Sequence, residues 1–281
     1  MAAQRLTVAA ITLDFGNTLV RVDRAGLRSV VDQTAEALAA RGIVRDRPEF
    51  LAAWSEERDR QFREEVPAFR EVDIPQRAVR VLARLRGMAP PPPEARWDDR
   101  AASERVEAGE IEAVVEAYSA AFVARITPFA DATATLARLS ERGFALAILS
   151  NWPLALTIDR FAEAQGWLAY LRAVVVSQRV GTIKPHPSIF RAAEAALGLD
   201  GRTGRGILHV GDDWAADVVG AARAGWRTAY LRNRQDDTPL PTSEPGDDLA
   251  TGEVVTPDLV IDELAELDAH LEPLATGAVA G

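Results

Sequence analysis

The hydrophobic rhythm of the chain changes twice. Leu6 to Leu13 is an almost continuous apolar run, closed by Asp14-Phe15-Gly16-Asn17-Thr18. An unbroken apolar run ending in turn residues predicts a strand buried on both faces, as in a parallel sheet. Beyond it the apolar positions recur at helical spacing. Helices are expected over about 25–41, 47–66, 73–86 and 103–125, with no convincing strand among them. Pro90-Pro91-Pro92-Pro93 separates the last two, because a helix cannot continue through consecutive prolines.

From Pro128 onward short apolar runs alternate with helical stretches. Strands are expected at Phe144–Leu149, Val174–Val176, Gly206–Val210, Thr228–Leu231 and Leu259–Ile261. Helices are expected over 128–142, 153–165, 187–198, 214–224 and 263–271, and the polar stretch Asn233–Thr256 reads as a loop. Strand–helix alternation of this kind predicts the α/β class, a doubly wound parallel sheet with helices on both faces.

Composition narrows the function. The 281 residues, 48% of them hydrophobic, suffice for one large or two small cores. No apolar run is long enough to span a membrane, and Met1–Val8 lacks the layout of a signal peptide. The absence of cysteine excludes disulfides, thiolate metal sites and a cysteine nucleophile, and fits a cytoplasmic enzyme. A net charge of −10 disfavours nucleic acid as a partner. A small anionic substrate remains possible, provided its pocket is locally positive. Of the 32 basic residues only Lys184 is lysine. A lysine kept against so strong an arginine bias points to a need for a compact ammonium. Oligomeric state is not legible.

In doubly wound sheets ligands bind beyond the carboxyl ends of the strands. Asp14, Ser150-Asn151, the Lys184 segment and Asp212-Asp213 all fall at or just beyond expected strand ends, and Asp217 lies one helical turn further on. An acid, a hydroxyl, an ammonium and an acid cluster would therefore converge at one sheet edge.

These motifs resemble those of the haloacid dehalogenase superfamily, most of whose members are Mg-dependent phosphatases. They are Asp14-Phe15-Gly16-Asn17-Thr18-Leu19, Ser150-Asn151, Lys184-Pro185-His186-Pro187 after Ser177 and Gly181, and His209-Val210-Gly211-Asp212-Asp213 with Asp217, in family order. The resemblance implies a Rossmann-like core from residues 1–20 and 126–281 and an inserted helical cap over 21–125. It implies that Asp14 attacks phosphorus to give an aspartyl-phosphate, with Lys184 neutralising charge. Mg²⁺ would be held by Asp14, the Gly16 carbonyl, Asp212 and, directly or through water, Asp213 or Asp217. Ser150 and Asn151 would bind the phosphoryl oxygens, and Thr18 would either bond near Asp14 or cap the next segment.

One departure bears on the chemistry. Phosphatases of the superfamily usually carry a second aspartate two residues after the nucleophile, which protonates the leaving oxygen. Here that position is Gly16. General acid–base catalysis is worth roughly 10²–10⁴ in rate. Three readings stay open: a phosphatase acting on a small phosphorylated metabolite with an altered proton supply, a 2-haloacid dehalogenase, and a catalytically weak binding or regulatory protein. Halide leaves unprotonated, which suits Gly16, but dehalogenases typically lack the acid cluster present here. His209 reads as a satisfied core residue and His186 as structural. Trp152 and Trp214 read as pocket rim or packing, and the charged residues of 56–65 as a solvated helix face.

Overall fold

The apolar run after Arg5 forms strand in two pieces, not one. In the computed structural model, which describes residues 5–199, 206–232, 237–245 and 255–274, β1 (Leu6–Val8) is followed by β2 (Ala10–Leu13). The break falls at Ala9, whose N–H turns to the Gly206 carbonyl. As a result β1 pairs with a C-terminal strand, β10 (Leu271–Pro273), while β2 enters the main sheet.

That sheet contains β2, β5 (Ala145–Ser150), β6 (Leu171–Val176), β7 (Ile207–Gly211), β8 (Arg227–Leu231) and β9 (Leu259–Ile261), in the order β6-β5-β2-β7-β8-β9. Every pairing within it is parallel. Along β2, Ile11 and Leu13 join one buried cluster and Ala10 the other, as the period-2 alternation of a strand requires. Helices α6 (Ala132–Glu141) and α7 (Ala155–Ala164) supply Leu136, Leu139 and Phe161 to the first cluster. After the short α8 (Ser177–Val180), helix α9 (Pro187–Leu197) supplies Ile189, Phe190 and Ala193 to the second. Both faces are covered, which is why the strands read as continuous apolar runs.

A short antiparallel pair, β3 (Val20–Arg21) with β4 (Thr127–Pro128), brackets the helical insert. The insert holds α1 (Arg24–Ala40), α2 (Arg47–Glu65), α3 (Ile74–Leu85), α4 (Asp99–Ser103) and α5 (Ala108–Arg125). Asp23, Asp46 and Asp73 cap the first three by accepting the N–H of Gly26, Glu49 and Gln76. The helix expected over 103–125 begins at Ala108, because Asp98 caps the separate turn α4. The helix expected over 214–224 opens as a π-helix over Trp214–Val219 before α10 (Gly220–Arg223). The expected helix at 263–271 is a single 3₁₀ turn, the short α11 (Leu267–His270), and then β10. The polar stretch 233–256 lies partly outside the described residues; its 237–245 part contains no helix or strand.

The 56–65 segment is solvated on one side only: Glu56, Arg58, Asp59 and Arg63 are exposed, and Arg60 pairs with Glu64 at i,i+4, but the other side is closed. Glu57, Arg60, Gln61 and Glu65 are all buried. Glu57 accepts from Arg84 (2.9 Å) and from the Trp97 indole (2.8 Å), and Arg60 donates to the Pro91 carbonyl (2.6 Å). The chain after the prolines folds back over α2, so these charges meet partners there instead of water. Among the described residues no helix is long and apolar enough to cross a membrane.

Candidate active site

Three adjacent central strands end at one point. Asp14 follows β2, Ser150 ends β5 and Asp212 follows β7. The Asp14 N–H continues the ladder by donating to the Val210 carbonyl (2.9 Å). Beyond it the chain turns sharply, with Asn17 at φ 56°, a left-handed conformation that asparagine tolerates better than most residues.

Lys184 arrives from the loop between β6 and α9 and organises the carboxylates. Its Nζ donates to Asp14 Oδ1 (2.7 Å), Asp217 Oδ1 (2.6 Å) and the Leu149 carbonyl (2.9 Å). An ammonium has three donors and all three are used. Burial opposes the Lys184 charge, but the Asp14 and Asp217 carboxylates outweigh it and hold the lysine protonated. The Asn151 side chain fixes this loop: its Oδ1 accepts the Lys184 N–H (2.7 Å) and its Nδ2 donates to the Lys184 carbonyl (3.1 Å).

Asp217 sits behind the others. Its Oδ1 meets Lys184 and His209 Nε2 (3.0 Å), and its Oδ2 accepts the Asp213 N–H (3.0 Å). Burial opposes its ionisation, but Lys184 and His209 prevail and hold the carboxyl below the usual range. A Cβ on Gly211 would stand 2.1 Å from Asp217 Oδ2, so this carboxylate fits only against glycine. His209 is satisfied, with Nδ1 paired to the Thr12 hydroxyl (2.8 Å), yet it belongs to the site through Asp217. Its position inside an apolar strand gave no sign of that contact.

Asp212 has less support. Its Oδ1 accepts from the Thr18 hydroxyl (2.9 Å), and among the described residues no cationic side chain lies within salt-bridge distance. Burial, with the Asp14 and Asp217 charges, pushes its carboxyl well up. Burial also pushes Asp14 up, although Lys184 pulls the other way. Oxygens of Asp14, Asp212 and Asp217 lie within 4.8 Å of one another. Three buried carboxylates facing one lysine leave excess negative charge, and an all-oxygen donor set of this kind suits a hard divalent cation. Asp213 is directed elsewhere: its Oδ1 accepts the Ala216 N–H (3.0 Å) and caps the π-helix. The Ser150 hydroxyl is buried and has no hydrogen-bond partner among the described residues.

Residues 8–225 match the sequence profile of the haloacid dehalogenase-like hydrolases. The chain belongs to that family. It is 29% identical over 157 residues to a glyceraldehyde 3-phosphate phosphatase of Methanopyrus kandleri, covering 56% of this chain and 65% of that one. It is 30% identical over 159 residues to a ribulose-1,5-bisphosphate 5-phosphatase of Halopiger xanaduensis, covering 57% and 63%. These matches span slightly less than two thirds of each relative. Among solved folds, a 2-haloacid dehalogenase from Pseudomonas syringae pv. Tomato superposes with a TM-score of 0.59 at 18% identity, covering 93% of this chain and 97% of that one. A HAD phosphatase from Thermococcus onnurineus gives 0.53 at 19%, covering 92% and 96%.

In this family member the helical insert is stitched to the strand ends. The Ile74 N–H donates to the Pro153 carbonyl (3.1 Å), and Gln178 donates to Asp73 (2.9 Å). The Ser177 hydroxyl donates to Glu71 while accepting the Trp152 N–H (2.9 Å). The Trp152 ring packs edge-on to Phe15 and Phe122. His186 caps α9 and its ring lies beside Phe69. Burial pushes the Glu71 carboxyl up to about 7, against the Ser177 and Val72 bonds. The folded chain therefore holds this proton more tightly than the unfolded chain. Stability should fall as pH rises from the unfolded carboxylate range to about 7, by about 3 kcal/mol at most. Glu71→Gln should remove that slope, read as urea midpoints at about pH 5 and about pH 8. Parallel slopes for both proteins would show that Glu71 ionises normally.

Proposed function

We propose that the chain is a Mg²⁺-dependent hydrolase of small phosphorylated metabolites, with Asp14 as nucleophile. The observation that carries this reading is the Lys184 bridge between Asp14 and Asp217, with an Asp212 oxygen within 4.8 Å of theirs and an unpartnered Ser150 hydroxyl at the end of the neighbouring strand. A pocket for a phosphoryl group needs a nucleophile, a fixed positive charge and free donors. The phosphatase names of the similar proteins, one of them a phosphoserine phosphatase of Thermus thermophilus, agree with it.

Lys184 holds Oδ1 of Asp14 and so fixes the carboxylate plane. Among the described residues no side chain bonds the second oxygen, which is left to attack phosphorus. The Ser150 hydroxyl and the backbone at Asn151 would donate to phosphoryl oxygens. The Asn151 side chain acts differently, positioning Lys184. Thr18 orients Asp212. Asp14, Asp212 and the Gly16 carbonyl would hold the cation, with Asp217 behind them. When bound, it supplies charge neutralisation between the carboxylates and an anionic phosphoryl group. Residues 1–20 and 126–281 form the catalytic core in this reading, and 21–125 the cap that selects substrate.

The dehalogenase reading has Gly16 in its favour and the carboxylate cluster against it. A halide-releasing site gains nothing from three buried carboxylates. Parallel assays of p-nitrophenyl phosphate and 2-chloropropionate, each with Mg²⁺ or EDTA, separate the two. Phosphate release is expected to drop by at least about 10²-fold in EDTA. Metal-independent chloride release would overturn the proposal.

A further inference from the structure

Residues 237–245, in the loop between β8 and β9, lie against the nucleophile's turn. Asn17 Nδ2 donates to Thr238 Oγ1 (3.0 Å), and the Arg24 N–H donates to the Asp237 carbonyl (3.1 Å). At the other end the Trp214 N–H donates to the Ser243 carbonyl (3.0 Å), the Ala215 N–H donates to Ser243 Oγ (2.7 Å), and Ser243 Oγ donates to Asp213. The segment is a strap tied to the first motif, to the start of α1 and to the last motif. Between the ties stands Leu240, flanked by Pro239 and Pro241. Its Cδ1 lies 2.6 Å from where a Cβ on Gly16 would stand, and Trp152 Cζ3 lies 3.3 Å from the same point. Any side chain at position 16 would meet leucine and indole. Lys184 is bonded to Asp14 and Asp217, His209 to Asp217, Asp212 to Thr18, and Asp213 to the Ala216 N–H and Ser243. None of these bonds reaches the space over Gly16.

We infer that the Leu240 strap makes this side of the site an apolar wall, with no proton donor over Gly16 among the described residues, so that the natural substrates carry their phosphoryl group on a leaving group stable as an anion. That class comprises acyl phosphates and phosphoesters of acidic hydroxyls, as opposed to phosphoesters of simple alcohols. The inference rests on the proposed phosphoryl transfer to Asp14. In that step a carboxylate oxygen bonds to phosphorus, the bond to the leaving oxygen breaks, and its electron pair departs with a carboxylate or phenolate that needs no proton. Water then attacks the aspartyl-phosphate, the pair returns to Asp14, and the water proton passes to the released phosphate. A carboxylic acid has a pKa of about 4 and a phenol of about 10, whereas an alkoxide is about as basic as hydroxide. Without an acid worth roughly 10²–10⁴, only the first two leave readily.

The test is a leaving-group series on the unaltered protein: acetyl phosphate, p-nitrophenyl phosphate, phenyl phosphate and ethyl phosphate, with kcat/KM for each. A steep fall is expected, with ethyl phosphate at least about 10²-fold below p-nitrophenyl phosphate. A flat series, with ethyl phosphate within about tenfold, would overturn the inference and leave the phosphatase reading intact. If no member is turned over and acetyl phosphate leaves no phosphate on Asp14, the phosphatase reading fails and takes the inference with it. The paired variant Gly16→Asp with Leu240→Ala should flatten the series by raising the ethyl phosphate rate about 10-fold or more. Gly16→Asp alone should gain less, because the Leu240 methyl must first shift from the place of the new side chain. Equal gains in the single and paired variants would show that the strap is not what closes this side.

Discussion

Asp14→Asn is expected to abolish turnover, by at least about 10³-fold, while leaving the fold no less stable in the absence of divalent cation. The loss follows from chemistry alone, since an amide oxygen is a poor nucleophile and asparagine differs little in shape. The stability result follows from charge. Burial and the Asp217 carboxylate both push Asp14 toward its neutral form, and the same forces act more strongly on Asp212. Removing one of three crowded carboxylates relieves repulsion, and an asparagine oxygen can still accept the bond from Lys184. Phosphate release and urea unfolding of the same preparation, compared with the parent protein in EDTA, would check both halves. Retained turnover would sink the assignment of the nucleophile. A large loss of stability would show that Asp14 serves mainly to hold Lys184.

Lys184→Met should damage both activity and fold. The ammonium is 2% exposed and the sole basic side chain joined to Asp14 among the described residues. Its removal leaves Asp14 and Asp217 without the charge that joins them. Breaking a buried pair by removing one partner costs about 3–5 kcal/mol, because an uncompensated charge remains. Activity should fall by about 10²–10³-fold or more, as expected when a preorganised charge is withdrawn from a transferring group. Lys184→Arg should restore part of the stability and little of the rate. A planar guanidinium carries the charge, but it cannot point three donors at Asp14, Asp217 and the Leu149 carbonyl from one nitrogen. Urea midpoints and kcat/KM for the two variants decide the matter. Full activity in Lys184→Arg would mean that charge alone suffices, without that geometry.

Much of the sheet was legible because its signals are local. β5, β7, β8 and β9 fall within a residue or two of the apolar runs that predict them. The helices α1, α2, α3 and α9 agree equally well, and aspartate caps mark where the first three begin. The convergence of Asp14, Ser150, Lys184 and Asp212 followed from the rule that ligands gather at the carboxyl ends of strands. The failures share a different cause. The first strand divides because Ala9 bonds to Gly206 and β10 waits for β1, and neither fact has a trace near residue 9. Glu57 and Arg60 are buried because the chain after four prolines returns across them, which helical periodicity cannot register.

By itself, then, the sequence determined an α/β sheet with helices on both faces, a helical insert after the first strands, and the set of polar groups at the strand ends. These are properties of periodicity, punctuation and residue type, all readable within a short window. Gly16 was legible too, as a missing acid, but only the tertiary structure decided what stands in that space. Leu240 reaches it from a distant loop between two prolines and closes it with hydrocarbon. Tertiary structure also decided that Lys184 spends its three donors on Asp14, Asp217 and a carbonyl, and that Asn151 serves the lysine loop. Such contacts join residues far apart in the chain, and no local pattern encodes which side chains meet once the sheet has closed.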